Sequence, residues 1–169
     1  MAGFTGEIAL SIKGALTGTN DLGSAKLALN PVEELLQLSA GTAAVNQANI
    51  LFSDTRTLAA SATEDLDLAG VLTDAFGAVI EAAEIVAIFI KAAAGNTNNV
   101  IVGAATAPFL GPLGATGTYT IKPGEYFLAT SRSGWAVTDS TGDDLKIANS
   151  GGTTGVTYDV IIIARTVAA

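Results

Sequence analysis

Along most of this chain apolar and polar positions alternate with a period of two, and few stretches carry the 3.6-residue period of an amphipathic helix. Glu7 to Lys13 sets Ile8, Leu10 and Ile12 on one side and Glu7, Ala9, Ser11 and Lys13 on the other, which predicts a half-buried strand. Gly14 to Ser24 is dominated by Gly, Thr, Asn and Asp, has little to bury, and predicts a loop. A short segment, Lys26 to Leu29, then meets Asn30-Pro31, where proline pushes its predecessor towards extended geometry. One strand on a long tether cannot stand alone. Residues 1–30 therefore predict an N-terminal arm that docks on its own domain (residues 31–169), on a neighbouring copy or on another protein.

Pro31 to Leu38 fits a helix start, with Glu33 and Glu34 behind the proline, and fits a strand equally. Asn49 to Leu58 predicts a strand, and Thr63 to Gly70 alternates Leu66 and Leu68 against Asp65 and Asp67. Glu84 to Lys91 has the β-branched run expected of a strand buried on both faces. Its rival is an Ala-rich helix starting near Asp74, and consecutive Ile, Val and Phe favour the strand. Gly95-Asn-Thr-Asn predicts a turn, with Asn99 to Gly103 as the returning strand. Tyr119 to Lys122 and Glu125 to Thr130 flank a Pro123-Gly124 turn. Trp135 to Thr138, Leu145 to Ala148 and Thr157 to Thr166 follow. About eight to ten short strands spaced by turns predict an all-β fold, a jelly-roll-like β-sandwich with an extended N-terminal arm.

Composition narrows the function classes. The 169 residues include no His and no Cys, the side chains behind most neutral-pH proton shuttles, nucleophile–base pairs and zinc sites. No enzyme activity, cofactor or metal is expected. Charged residues make up only 14%, and charge is depleted at interface cores, so part of the surface is expected to lie in an assembly. The net charge of −8 falls in the middle third: Pro31 to Glu84 carries nine acids and Arg56 alone as a base. Eight scattered Lys and Arg do not make a phosphate-binding patch, so nucleic acid is not an expected partner. The N-terminus lacks the basic and apolar regions of a secretory signal. The apolar stretch Ala75 to Ala94 holds Glu81, Glu84 and Lys91, and is expected to be core rather than a membrane span.

Few constellations remain. Asp139, Asp143 and Asp144 around Gly142 loosely resemble a calcium loop, but the twelfth-position Glu is missing, and a solvated Asx turn is the simpler expectation. Glu33 and Glu34 would point to opposite strand faces, while Asp65 and Asp67 would sit beside each other rather than across a cleft, as glycoside hydrolysis needs. Gly151-Gly-Thr-Thr-Gly leads into a strand without the Lys and helix of a phosphate loop. Trp135, Tyr119, Tyr126 and Tyr158 are placed by alternation in the core, on its rim or at a subunit contact, with sugar stacking as the minor option.

The order of segments in the second half carries a resemblance. ATEDLDLAGVLTDAFG is followed by EIVAIFIKAAAGNTNNVIVG, YTIKPGEYFLATS and DDLKIANSGGTTGVTYDVIIIART. This series, spanning residues 62–166, resembles small virion structural proteins of tailed bacteriophages, notably head decoration (cement) proteins. The resemblance implies a β-sandwich subunit, often trimeric, on the exterior of a capsid and made in the host cytoplasm. The partners it implies are the major capsid protein and other copies of the same chain, with no membrane. The arm lies outside the match. Phe4, Ile8, Leu10, Ile12 and Trp135 are the expected partner or subunit contacts. The alternative expectation is a receptor-binding or fibre module recognising host glycans, and a carboxylate-only hydrolase is the third.

Overall fold

The computed structural model describes residues 3–166, so the outermost residues of both expected domains lie outside the description. Among the described residues there is no helix; fifteen strands, β1 (Thr5–Ile12) to β15 (Val156–Arg165), make an all-β fold in several sheets. Of Pro31 to Leu38, all but the leading Pro31 falls in β4 (Val32–Ala40), and the helix considered near Asp74 is absent, replaced by the hairpin β8 (Ala69–Thr73) and β9 (Val79–Glu81). No helix is long and apolar enough to cross a membrane.

Two four-stranded sheets form the body. One orders β13 (Tyr126–Ala136), β10 (Glu84–Ala92), β15 and β6 (Ile50–Leu58); the other orders β12 (Thr118–Ile121), β11 (Val100–Gly103), β14 (Asp144–Asn149) and β7 (Thr63–Asp67). Their inward side chains meet in one hydrophobic cluster, with Ile88, Ile90, Val160 and Ile162 from the first sheet and Leu66, Val102, Ile121 and Ile147 from the second. Tyr158 is buried among them.

Two turns expected to close hairpins instead carry the chain between sheets. After Gly95-Asn-Thr-Asn, β11 pairs with β12 and β14 rather than returning along β10. After Pro123-Gly124, β13 pairs with β10 rather than with β12. A turn reverses direction locally, and the sheet that the next strand joins depends on which apolar face remains uncovered. Trp135 to Thr138 is not a separate strand. Trp135 ends the long β13, which bulges over Ser131–Gly134 while its pairing with β10 shifts from Thr130 opposite Ala87 to Trp135 opposite Ile85.

The N-terminal residues depart furthest from expectation. Gly14 to Ser24, expected as loop, holds β2 (Ala15–Asn20) and the start of β3 (Gly23–Ala28), which pair antiparallel. β1 pairs with β4 from Thr5↔Ser39 to Ile12↔Val32. The two pairs are stitched by a hydrogen bond from Leu29 N–H to Gly14 O at 2.8 Å. The result is one two-stranded ribbon turning at Asp21-Leu22. With 16 outgoing residues at about 3.3 Å each it extends roughly 50 Å. Glycine and threonine satisfy such a ladder without burying anything, which is why composition alone concealed it.

Candidate functional site

The ribbon is asymmetric. Directly opposed residues share a face, so Ile8 with Leu36, Gly6 with Leu38, and Ile12 with Val32 make one side mainly apolar, broken by Glu34 opposite Leu10, while Glu7, Ser11, Glu33 and Gln37 occupy the other with Ala9 and Leu35. Beyond Ile12 the register slips by one residue at Asn30-Pro31, where a bulge tolerates a residue without N–H. That slip brings Leu27 and Leu29 of the return strand into phase with Leu16 opposite Leu27. At its root the apolar side is covered: Leu38 is buried, and Phe4 and Ile8 are half-buried. Phe4 lies over Gly6, where a Cβ would come within 3.0 Å of its ring. Further out the cover ends. Leu10, Ile12, Leu29 and Val32 are about half exposed, Leu16 and Leu27 are each 72% exposed, and Leu22 at the tip is fully exposed.

The root rests on the outer face of the β13–β10–β15–β6 sheet. Ile8, Leu10 and Leu36 line a groove of about 360 Å³ together with Leu128, Thr130 and Arg132 of β13. Arg132 fixes the adjoining loop, donating from Nε to Asn46 Oδ1 at 2.8 Å and accepting the Asn46 N–H at its carbonyl at 3.2 Å. Ala87 and Phe89 share the face of their partners Thr130 and Leu128. Ala87 is buried outside the main cluster, as are Val86, Leu38 and Ala48. The cover stops at the next row, Leu128–Phe89–Ile161, which stays partly open with Leu51 and Tyr126 nearby. β10 thus carries the sequence of a strand buried on both faces, and this chain covers only part of its outer one.

At about 25 cal/mol per Å² and roughly 2–3 kcal/mol per fully buried side chain, each aliphatic residue offers on the order of 100 Å². On that scale the ribbon presents about 440 Å² of apolar surface, about 300 Å² of it on the distal half, and the open sheet row about 200 Å². Patches above a few hundred Å² mark interaction surfaces.

A third apolar point is the β8–β9 tip. Asp74 Oδ1 accepts the N–H groups of Phe76 and Ala78, both at 2.9 Å, and Asp74 N–H donates to Ala78 O at 2.8 Å. This Asx turn holds the tip open and leaves Phe76 93% exposed, with Val71 and Val79 behind it and Glu81 at the base. Trp135, expected at a contact, is partly buried against the core and lines a surface hollow of about 430 Å³ with Pro108, Leu110, Thr138 and Thr141.

The titratable groups are engaged in holding the fold. Tyr158 donates to Glu64 at 2.6 Å, and Arg56 binds Glu64 at 2.7 Å and Asp54 at 2.9 Å, which ties β15 and β6 to β7 across the two sheets. Burial and then the Glu64 bond push the Tyr158 phenol up, and the Glu64 bond raises the Arg56 guanidinium. Arg165, 2% exposed, donates to Glu84 Oε2 at 2.6 Å, to the carbonyls of Ala44 (2.8 Å) and Gln47 (3.4 Å), and to Ser133 O. Glu33 and Glu34 face opposite sides of β4. Asp65 and Asp67 share a side of β7, opposite Lys146 and Asp144. Burial, then the charges of Asp65, Asp143 and Asp67, raise the Asp144 carboxyl. Asp143 Oδ2 accepts the Ser140 N–H at 2.7 Å, so this side chain closes the loop backwards over three residues rather than in the expected Asx turn. Among the described residues no cluster of His, Cys, Asp and Glu could hold a metal ion.

Of the five expected contact residues, Phe4, Ile8, Leu10 and Ile12 lie together on the ribbon, and Trp135 stands apart at the far end of β13. Leu16, Leu27, Leu29 and the Leu128–Phe89–Ile161 row were missed. A signal existed: Leu16 and Leu27 flank Asn20-Asp-Leu-Gly23 symmetrically, as hairpin partners do. No protein family, curated protein or solved structure matches this chain.

Proposed function

We propose that this chain is a non-enzymatic decoration protein of a tailed-phage head, binding the outer surface of the shell and bracing contacts between major capsid subunits. In this reading the two four-stranded sheets are the layers of a jelly-roll-like β-sandwich, and the ribbon is its extended arm. The observation that carries the reading is that ribbon: an isolated two-stranded element is marginal in water, and this one holds its leucines out to solvent. Such a surface fits a molecule completed by its neighbours. The perturbed side chains favour the same reading, because their bonds brace sheets rather than face a cleft. The copies act together as a homotrimer, and simultaneous contacts multiply weak single ones. The acidic β8–β9 tip presents Phe76 to the shell, and the ribbon joins neighbours.

The test is co-sedimentation of the purified chain with phage heads assembled without it. Saturable binding that Phe76→Asp reduces at least tenfold is expected; failure of the intact chain to sediment with heads overturns the proposal. The Trp135 hollow favours a second reading, glycan recognition by a receptor-binding module, and a glycan array without hits removes it.

A further inference from the structure

We propose that copies of this chain join by seating the distal ribbon of one copy on the open outer sheet face of the next, in the groove beside its β13. The occupant is argued from the chain itself. In each copy the ribbon root already lies along this same face, where Ile8, Leu10 and Leu36 share a groove with Leu128 and Thr130. The uncovered row Leu128–Phe89–Ile161 continues that contact outward, and the uncovered leucines Leu16, Leu27 and Leu29 continue the ribbon beyond its own body. The groove holds one acid and one base, Glu34 and Arg132, and the distal ribbon likewise carries Asp21 and Lys26, so charge can be matched pair by pair.

Area decides the geometry. Leu16, Leu22, Leu27 and Leu29 of the distal ribbon on one sheet row remove about 500 Å² of apolar surface. With interfaces roughly 60% apolar, that implies about 800 Å² in total. A specific interface needs about 1,000 Å² or more, so one such contact alone is marginal. The contact pairs two different surfaces, so it closes either by reciprocal exchange between two copies or in a larger ring, and closure makes each copy bind twice. The chain therefore forms a closed assembly of two or more copies.

This deepens the self-association within the proposed function and rests on that reading, while head binding is scored separately through Phe76. Two variants and their mixture test it by light-scattering mass in solution. The intact chain is expected to be at least twice the mass of one chain of 16.9 kDa. Leu16→Glu/Leu27→Glu on the ribbon and Leu128→Glu/Ile161→Glu on the sheet each weaken association by about 100-fold, giving monomers. Circular dichroism reports their folding, and Ile161→Thr is the milder sheet variant. An equimolar mixture still has one intact ribbon and one intact sheet face, so it makes a single contact and stays at or below two chains. A monomeric intact chain overturns the contact. So does a sheet variant that still assembles, which points to ribbon against ribbon, and so does a mixture heavier than two chains. A monomer that binds heads keeps the decoration role; a closed assembly that ignores them keeps only the contact.

Discussion

Replacing Arg165 by Met removes a buried charged side chain that locks the segment following the ribbon to the body. Arg165 closes the apolar run of β15 and emerges on the outer sheet face, where its guanidinium reaches three separate segments. It binds Glu84 at 2.6 Å, the carbonyls of Ala44 and Gln47 in the segment after β4, and Ser133 in the β13 bulge. Removing one partner of a buried ion pair costs about 3–5 kcal/mol. Glu84 is 26% exposed, so water recovers part of the loss, while the abandoned carbonyls add to it. About 3 kcal/mol remains, which for a chain of this size lowers Tm by roughly 6–12 °C. Urea denaturation of dilute protein reads the value. Arg165→Lys keeps the charge but not the planar fork, and is expected to lose about half as much. A loss below about 1 kcal/mol for Arg165→Met refutes the reasoning, because the pair is then behaving as an exposed one.

Gly134→Ala attacks the same lock from the bulge: φ is 83°, and a Cβ would lie 2.8 Å from Glu84 Cβ and 3.0 Å from Arg165 Nη2. It is expected to cost about 2–3 kcal/mol in the same denaturation assay. Tyr158→Phe leaves Glu64 without its buried donor and is expected to lose about 1–2 kcal/mol, read the same way. Asp144 has a folded-state pKa above its ordinary 3.8, so the folded protein holds that proton longer than the unfolded chain. Its contribution is most favourable below 3.8 and declines as pH rises from there through the raised value. Asp144→Asn is therefore expected to gain stability relative to the intact chain above that window, and a pH series of melting curves checks the sign. Phe76→Asp, at a fully solvated tip, is expected to leave Tm within about 1–2 °C while lowering head binding.

The strands with apolar or β-branched runs were legible because their own residues demand burial: Glu84 to Lys91 lies within β10, and Asn49 to Leu58 and Thr157 to Thr166 match β6 and β15 except for Asn49 and Thr166 at their ends. The Ile8, Leu10, Ile12 alternation likewise marked one apolar side of the ribbon. The partner strand of that ribbon was not legible, since Gly14 to Ser24 pairs through backbone alone and carries few apolar residues to mark a face. Sheet membership of β11 and β13 escaped for a different reason: local turn chemistry sets a reversal, and long-range burial sets the neighbour. Half of the candidate surface escaped with it. Phe89 looks like core in a run of apolar residues, and its partial exposure becomes visible only once Leu128 and Ile161 stand beside it.

Hydrogen exchange across a concentration series tests most directly whether the ribbon is an association element. The account predicts that amides of Thr5–Asn20 and Gly23–Ala40 slow as concentration rises, while amides of β11 and β14, in the sheet away from the docking face, change least. Ribbon amides that exchange equally fast at every concentration would contradict it.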